Sequence, residues 1–297
     1  NASLARLLVR KLIPAAIPGE TMEDITLAVA DYSKLDTPSN DVRIRLSSTA
    51  VDIAHSETRR SVDIVYVRDG EARRVRGRHA IMAGYMAMTP YICAEMAEEQ
   101  KDAIRYFTKI PLVYVNVALK NWRAFERAGF HRIYCPGSFC EQISLDFPVS
   151  IGEYRFSASP DEPIILHLQK VPTAPDLGLD EKEQHRAGRR ELYALSYDDF
   201  ETAIVAQLTG MLGPHGFDAE RDIAGITVNR WPHGYAYEYN ELYDGPDRSP
   251  ETGPHLAARA SLGRISFANS DTSAYAYVNG AFDAAIRAVE EQSTIAD

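Results

Sequence analysis

The side chains best suited to do chemistry stand near the end of the chain, at residues 230–239, which read RWPHGYAYEY. Four aromatic rings around Gly234 can form a wall beside a flat ligand, because glycine lets the backbone approach closely. The same stretch can equally form a corner of the core that is closed by Pro232. Composition alone leaves both interpretations open.

A second candidate follows at residues 263–281, which read GRISFANSDTSAYAYVNGA. The pattern predicts a strand, then a polar turn, then a helix. A helix start carries unpaired N–H groups and partial positive charge, which suits a phosphate or a carbonyl oxygen. Alternatively, Ser270, Asp271 or Ser273 simply caps the helix.

Generic catalytic motifs are absent from the sequence. There is no GxGxxG, GxxxxGK[ST], HExxH or GxSxG, so a self-contained nucleotide, zinc or serine-hydrolase site is not supported, and no catalytic residue can be assigned. Cys93, Cys135 and Cys140 form no CxxC pair, and the histidines are scattered. We therefore expect no metal site.

Composition excludes several classes of protein. The 297 residues are 45% hydrophobic and 25% charged, which is typical of a globular protein. A net charge of −10 argues against nucleic acid binding and is compatible with a cationic substrate. No apolar run is long enough to predict a membrane span.

Apolar periodicity predicts an α+β fold with mixed sheets. A meander of three strands is predicted at 42–54, 62–67 and 72–82, with the hairpin turn between the second and third strands at 68–71. Further strands are predicted at 112–119, 143–147, 164–168 and 223–228, and helices at 3–13, 98–107, 121–128, 197–212 and 273–289. Residues 171–183 are predicted to be a surface excursion.

Particular phrases resemble the flavin-containing amine oxidoreductase superfamily. FANSDTSAYAYVNGAFDAAIRAV at 267–289 resembles its closing flavin motif, and NRWPHGYAYEY at 229–239 resembles the segment beside the flavin ring. The opening NASLARLLVRKL resembles a second flavin-domain segment, and the meander resembles the strands that return to that domain. Within the superfamily, the chain is most similar to the bacterial spermidine dehydrogenase-like group.

The resemblance implies a substrate domain joined to the carboxyl-terminal part of an FAD-binding Rossmann-like domain. It places a returning flavin-domain segment with the meander at 1–90, the substrate-binding domain at 91–222, and the closing flavin-domain segment at 223–297.

The resemblance also implies which residues meet FAD. Asp271 would order the ribityl–pyrophosphate region, while Asn269 stands where the usual glycine precedes the acid. Covalent attachment is not expected, because the attachment position is Tyr235 rather than cysteine. The implied cofactor-binding residues are Val51, Ala83, Tyr85, Trp231, Gly234, Tyr235, Asn269, Asp271, Tyr277 and Val278.

The implied activity is oxidation of an amine, for example a polyamine such as spermidine. Hydride would pass from the carbon beside a neutral amine to the flavin, and the resulting imine would hydrolyse. The implied substrate residues are Tyr235, Tyr237, Glu238, Glu141 and Asp146, although Glu141 and Asp146 can equally be solvated carboxylates. Haem binding and a periplasmic location are compatible with the resemblance and have no other support.

The chain departs from the family in lacking the GxGxxG unit that grips most of the cofactor. We therefore expect a second polypeptide, or an amino-terminal segment missing before Asn1, to supply it. Two alternatives stay open: a flavin-less structural partner subunit of the same fold, and a flavin oxidoreductase that acts on a substrate other than an amine.

Overall fold

Capping residues and chain breakers set many of the element boundaries in the computed structural model, which describes residues 2–296. Asn1, with which the family-like opening segment begins, and Asp297 lie outside the described residues. The α-helices are α1 (Ala2–Leu12), α2 (Asp24–Leu27), α3 (Thr89–Ile92), α4 (Glu98–Arg105), α5 (Arg123–Ala128), α6 (Glu181–Ala194), α7 (Tyr197–Leu212), α8 (Ala219–Asp222), α9 (Pro254–Ala258) and α10 (Val278–Ser293). The strands are β1 (Thr49–His55), β2 (Val62–Arg68), β3 (Glu71–Gly77), β4 (Ala80–Met82), β5 (Leu112–Leu119), β6 (Arg132–Tyr134), β7 (Gln142–Leu145), β8 (Ile164–Lys170), β9 (Ile223–Trp231) and β10 (Ile265–Phe267).

The elements with the strongest local signals lie where the sequence predicts them. Strand β5 and helix α7 have the predicted bounds. A capping box starts α7, because the Ser196 hydroxyl accepts from the Asp199 amide while the Asp199 carboxylate accepts from the Ser196 amide. The hairpin between β2 and β3 turns at Asp69 and Gly70, both with positive φ, as a two-residue turn of this twist requires.

Four predicted segments differ from the structure. The strand predicted at 42–54 pairs only from Thr49, and the one predicted at 72–82 divides into β3 and β4. Helix α6 begins within the segment that is predicted to be a surface excursion. The apolar pattern does not predict this helix, because its sequence is highly charged and its buried positions are only His185, Gly188 and Leu192. The last helix begins at Val278, because residues 270–273 form a 3-10 turn that ends with Ala274 at positive φ.

The described chain forms two compact units. The first comprises residues 2–107 and 236–296, and the second is Thr108–Tyr235. The domain boundaries predicted from the sequence fall after residues 90 and 222, and the functions assigned to those segments remain predictions. The combination of antiparallel sheets, a parallel pair and helices confirms the α+β class with mixed sheets.

The first unit contains two sheets. Strands β1, β2 and β3 form an antiparallel meander in sequence order, whereas β4 pairs in parallel with β10. A core that includes Ile53, Val62, Met86 and Phe267 packs between these elements. Helix α10 packs on β10.

The second unit is built on one antiparallel sheet with strand order β6-β7-β8-β5-β9. Every second residue of β5 and β8 is buried, which is the pattern of a sheet with one covered face. Helix α7 covers that face with Phe200, Ile204, Leu208 and Leu212, all buried at helical spacing.

No helix among residues 2–296 is long and apolar enough to cross a membrane.

Two helical glycines of the second unit give a matched test of this packing. A Cβ on Gly188 of α6 would lie 1.8 Å from the Pro172 carbonyl oxygen, whereas a Cβ on the exposed Gly210 of α7 would meet no atom within 4 Å. We expect Gly188→Ala to lower the free energy of unfolding by about 1–3 kcal/mol, because the Pro172 backbone must move. Gly210→Ala should raise it by about 0.5–1 kcal/mol, because alanine is the better helix former.

The measurement is chemical or thermal unfolding of both variants beside the original chain. Equal stability changes in the two variants would contradict the close approach of α6 to Pro172.

Candidate functional site

In the first unit, the candidate site centres on the start of α10. No side chain caps this 16-residue helix, and its first turn contains no acidic residue. The first amides of any helix lack acceptors within the helix, so this end can donate to an oxygen from outside. The exposed rings of Tyr275 and Tyr277 lie beside it, with centroids 5.1 Å apart. The residue types fit a flavin carbonyl or a phosphate.

Asp271 lies just before this helix and is only 2% exposed. Its carboxylate accepts the amide hydrogen of Tyr237 at 3.0 Å. A contact to a buried backbone group contributes to stability, because the unpaired amide would be costly. The residue therefore ties the aromatic stretch to the turn before α10.

Asn269 also holds the turn before α10 through hydrogen bonds to backbone groups. Its side-chain oxygen accepts from the Thr272 amide, and its side-chain nitrogen donates to the Gly84 carbonyl at 2.8 Å. The predicted cofactor residues Ala83 and Tyr85 flank that glycine and are exposed. Val51 is the residue skipped by the bulge of β1 and is 41% exposed.

Glu238 was predicted to bind substrate, but the structure shows it in contact with the backbone. Its carboxylate accepts the Ala276 amide hydrogen at 3.0 Å, two residues before α10 begins. This contact positions the turn that presents the helix start. Glu141 is likewise engaged, since it accepts the Val171 amide hydrogen at 3.0 Å.

Tyr237, also predicted to line the substrate site, lies in the core of the first unit and is 8% exposed. Its ring stacks on Phe107 with centroids 5.1 Å apart and meets Tyr106 edge-on at 6.0 Å. Burial, reinforced by the nearby Asp244 carboxylate, raises the pKa of its hydroxyl. At this position, the core interpretation of the aromatic stretch describes the structure better than the ligand-wall interpretation.

The remaining aromatic positions belong to the second unit. Strand β9 continues to Trp231, which is 51% exposed, and the Gly234 amide donates to the Ile110 carbonyl at 3.0 Å. A Cβ on Gly234 would lie 2.8 Å from the Trp231 Cβ, so the turn needs glycine. Tyr235 is half-buried at the end of this unit.

Arg189, which the sequence analysis did not single out, holds this turn in place. Its guanidinium donates to the carbonyls of Lys109 and Pro232, at 2.5 and 2.8 Å. Burial lowers the pKa of the neighbouring His233, and the positive charges of Arg189 and Lys109 act in the same direction. These two hydrogen bonds from Arg189 hold the turn at Trp231–Gly234 in place, and no aromatic side chain takes part in them.

The face of the second unit's sheet that α7 leaves uncovered carries polar side chains in two rows across the strands. One row is Arg132, Ser144, His167, Asn116 and Thr227, and the other is Tyr134, Gln142, Gln169, Tyr114 and Asn229. A cavity of about 400 Å³ opens on this face and is bordered by Tyr114, Arg132, Ser144, Asp146, His167 and Gln169 among others. Of the predicted substrate residues, Asp146 is the one at this pocket.

His167 is fixed within that face. Its Nδ1 lies 3.0 Å from the Asn116 side-chain oxygen, and its ring lies 5.2 Å from that of Tyr114. Burial lowers the pKa of His167, while the charge of Asp146 opposes that shift. The signal that could have found these residues is the alternation of β5 and β8, where polar side chains occupy every second position between valines and leucines.

Among residues 2–296, no group of three or more histidine, cysteine, aspartate or glutamate side chains is placed to hold a metal ion.

Comparisons by sequence find no relative: no protein-family model matches the chain, and no curated protein matches it. Comparison by structure does find similar proteins. Cyclohexylamine oxidase from Brevibacterium oxydans IH-35A matches with a TM-score of 0.54 and 13% identity, over 82% of this chain and 47% of that one.

Putrescine oxidase is also similar in structure. A single mutant from a redesign of its cofactor binding matches with a TM-score of 0.54 and 16% identity, over 86% of this chain and 50% of that one. The wild type bound to putrescine matches with a TM-score of 0.52 and 15% identity, over 82% and 48% of the two chains. The chain spans about half the length of these solved structures, and over that half its fold is the amine-oxidase fold.

Proposed function

We propose that this chain is part of an FAD-dependent oxidoreductase that oxidises an amine. The observation that carries the proposal is the uncapped start of α10, whose preceding turn is held by Asp271, Asn269 and Glu238. These three polar side chains bind backbone groups outside α10. The amides at the start of the helix therefore stay available to a ligand. The amine-oxidase fold and the flavin-like sequence motif support the same cofactor.

The residues that would hold FAD are the backbone of Tyr277 and Val278 at the helix start, with Asp271 behind them. Trp231, Gly234 and Tyr235 would contact the ring, and Val51, Ala83 and Tyr85 would contact the nucleotide end. Bound FAD supplies the acceptor for a hydride taken from the carbon beside the amine. Haem is not part of the proposal, because no observation supports it.

The proposed substrate is an amine, and the sequence resemblance suggests a polyamine such as spermidine. That narrower suggestion has less support, because Glu141 and Glu238 hold backbone amides. Asp146 is the predicted anchor that remains at a pocket.

We further propose that a polypeptide carrying GxGxxG completes the flavin site. Support comes from the half-length match and from the parallel sheet of the first unit, in which β4 and β10 are the paired strands. Phe282, Ile286 and Val289 form an exposed apolar stripe on α10, which suits a surface covered by that polypeptide.

The direct test is spectroscopic. Purified protein, with its partner where one is needed, should show a flavin absorption band that an amine bleaches under anaerobic conditions. A colourless assembly favours the structural-subunit alternative. A flavin band that no amine bleaches favours a different substrate.

The first prediction concerns Asp271. Asp271→Asn keeps an oxygen for the Tyr237 amide but removes the charge, so we expect flavin binding to weaken by roughly ten- to a hundred-fold with little loss of stability. Asp271→Ala should lower both. The measurements are the flavin-to-protein ratio and the unfolding temperature. Full flavin content in Asp271→Asn would restrict this residue to a structural role.

The second prediction concerns Glu238. Glu238→Gln keeps an acceptor for the Ala276 amide and should retain flavin, whereas Glu238→Ala should release it by freeing the turn before α10. In the flavin-retaining Glu238→Gln variant, the ratio of the KM values for spermidine and a monoamine of similar length should be unchanged. A selective rise in the spermidine KM of Glu238→Gln would return this carboxylate to the substrate site.

The third prediction concerns the apolar stripe on α10. Replacing Ile286 and Val289 together by lysine should raise the soluble yield of the chain expressed alone and reduce its binding of a hydrophobic dye. The control replaces Asn279 and Glu290, which are exposed on the same helix, by lysine. Equal gains from both pairs, or a monodisperse original chain, would count against a covered surface.

A further inference from the structure

The pocket on the uncovered face of the second unit's sheet has opposite charges at its border, and its lining includes the apolar side chains of Leu145, Phe147 and Pro148. Asp146 and Arg132 contribute one negative and one positive charge, and both residues are exposed. The same pocket is also lined by Ser144, His167 and Gln169, which donate and accept hydrogen bonds without a fixed charge. Such a lining complements a ligand that carries both signs of charge.

Strand register sets the distance between these groups. Arg132 pairs with Ser144, and Ser144 pairs with His167, so the arginine and the histidine lie two strands apart in one row. Neighbouring strands are about 4.8 Å apart, which separates the two backbones by roughly 10 Å. A ligand that meets both side chains therefore needs its polar ends several bonds apart.

His167 acts as an acceptor in this row. The Asn116 side-chain oxygen faces Nδ1, so Nδ1 carries the hydrogen and Nε2 keeps its lone pair. Burial lowers the pKa of His167, and the charged or titratable groups around its pocket are Asp146, His131, Arg132 and Tyr114. The lowered pKa favours the uncharged imidazole, whose Nε2 can accept from an ammonium group.

The charge balance of the pocket disfavours a polyamine. A ligand with two or three ammonium groups would meet one carboxylate and would bring a second cation toward Arg132. The other carboxylates considered as anchors, Glu141 and Glu238, are bound to backbone amides. An anionic group at the arginine end removes this repulsion.

We propose that this pocket binds a short ω-amino acid, with its ammonium group between Asp146 and His167 and its carboxylate at Arg132. This inference concerns binding and goes beyond the proposed function. It assigns to the pocket of the second unit a ligand class, which is amines that carry a carboxylate at the other end.

The experiment compares four probes with the same four-carbon chain: 4-aminobutanoate, 1,4-diaminobutane, butylamine and butanoate. Calorimetric titration of the full chain in its soluble form, with its partner where one is needed, should show 4-aminobutanoate binding at least about tenfold more tightly than the other three. Tighter binding of the diamine, or equal binding of all four, would overturn the proposal.

Variants assign the two ends. Arg132→Gln should remove the preference for 4-aminobutanoate over butylamine, while the control Arg190→Gln, an exposed arginine on α6 that does not border the pocket, should leave it unchanged. His167→Phe keeps a ring beside Tyr114 and should weaken the binding of all three amine-containing probes without affecting butanoate. An unchanged preference in Arg132→Gln would also overturn the proposal.

The two hypotheses fail separately, because the titration does not depend on flavin. Preferred binding of 4-aminobutanoate by a protein that retains no flavin contradicts the proposed function and leaves this inference standing. Bleaching of bound flavin by simple amines, together with no preferred binding of 4-aminobutanoate, supports the proposed function and contradicts this inference.

Discussion

The turn before α10 depends on one kind of interaction, in which polar side chains form hydrogen bonds with backbone groups. Asp271 accepts the Tyr237 amide, Glu238 accepts the Ala276 amide, and Asn269 donates to the Gly84 carbonyl. The Tyr237 amide is buried, so leaving it unpaired would cost more than its contact with Asp271 contributes. Polar side chains at the candidate site therefore hold the chain in place, and the helix amides that they position are left to bind a ligand.

In the second unit, the two faces of one sheet have different tasks. Valines and leucines of β5 and β8 pack against α7, which supplies the stability of the unit. The polar side chains between them point to the other face and border a pocket. Because successive residues of a strand alternate between faces, one strand can serve both tasks, and changing the pocket need not disturb the core.

The amine-oxidase fold limits what this chain can do without identifying its substrate. At 13–16% identity, the matched structures share the arrangement of the backbone, while ligand preference depends on individual side chains. On the proposal made for the second unit's pocket, those side chains are Arg132, Asp146 and His167, which combine both signs of charge with a neutral acceptor.

The sequence by itself determined the elements with strong local signals: β5, α7 with its capping box, the Asp69–Gly70 hairpin and the α+β class. It also indicated the start of the last helix as a candidate site, because residues 267–289 resemble the closing flavin motif of the amine oxidoreductases. Only the tertiary structure decided that Tyr237 is a core residue, that Glu238 and Glu141 bind backbone amides, and that His167 and Arg132 share a pocket row. The physical reason is range: caps and turns act within a few residues, whereas burial and register depend on strands that are distant in the chain.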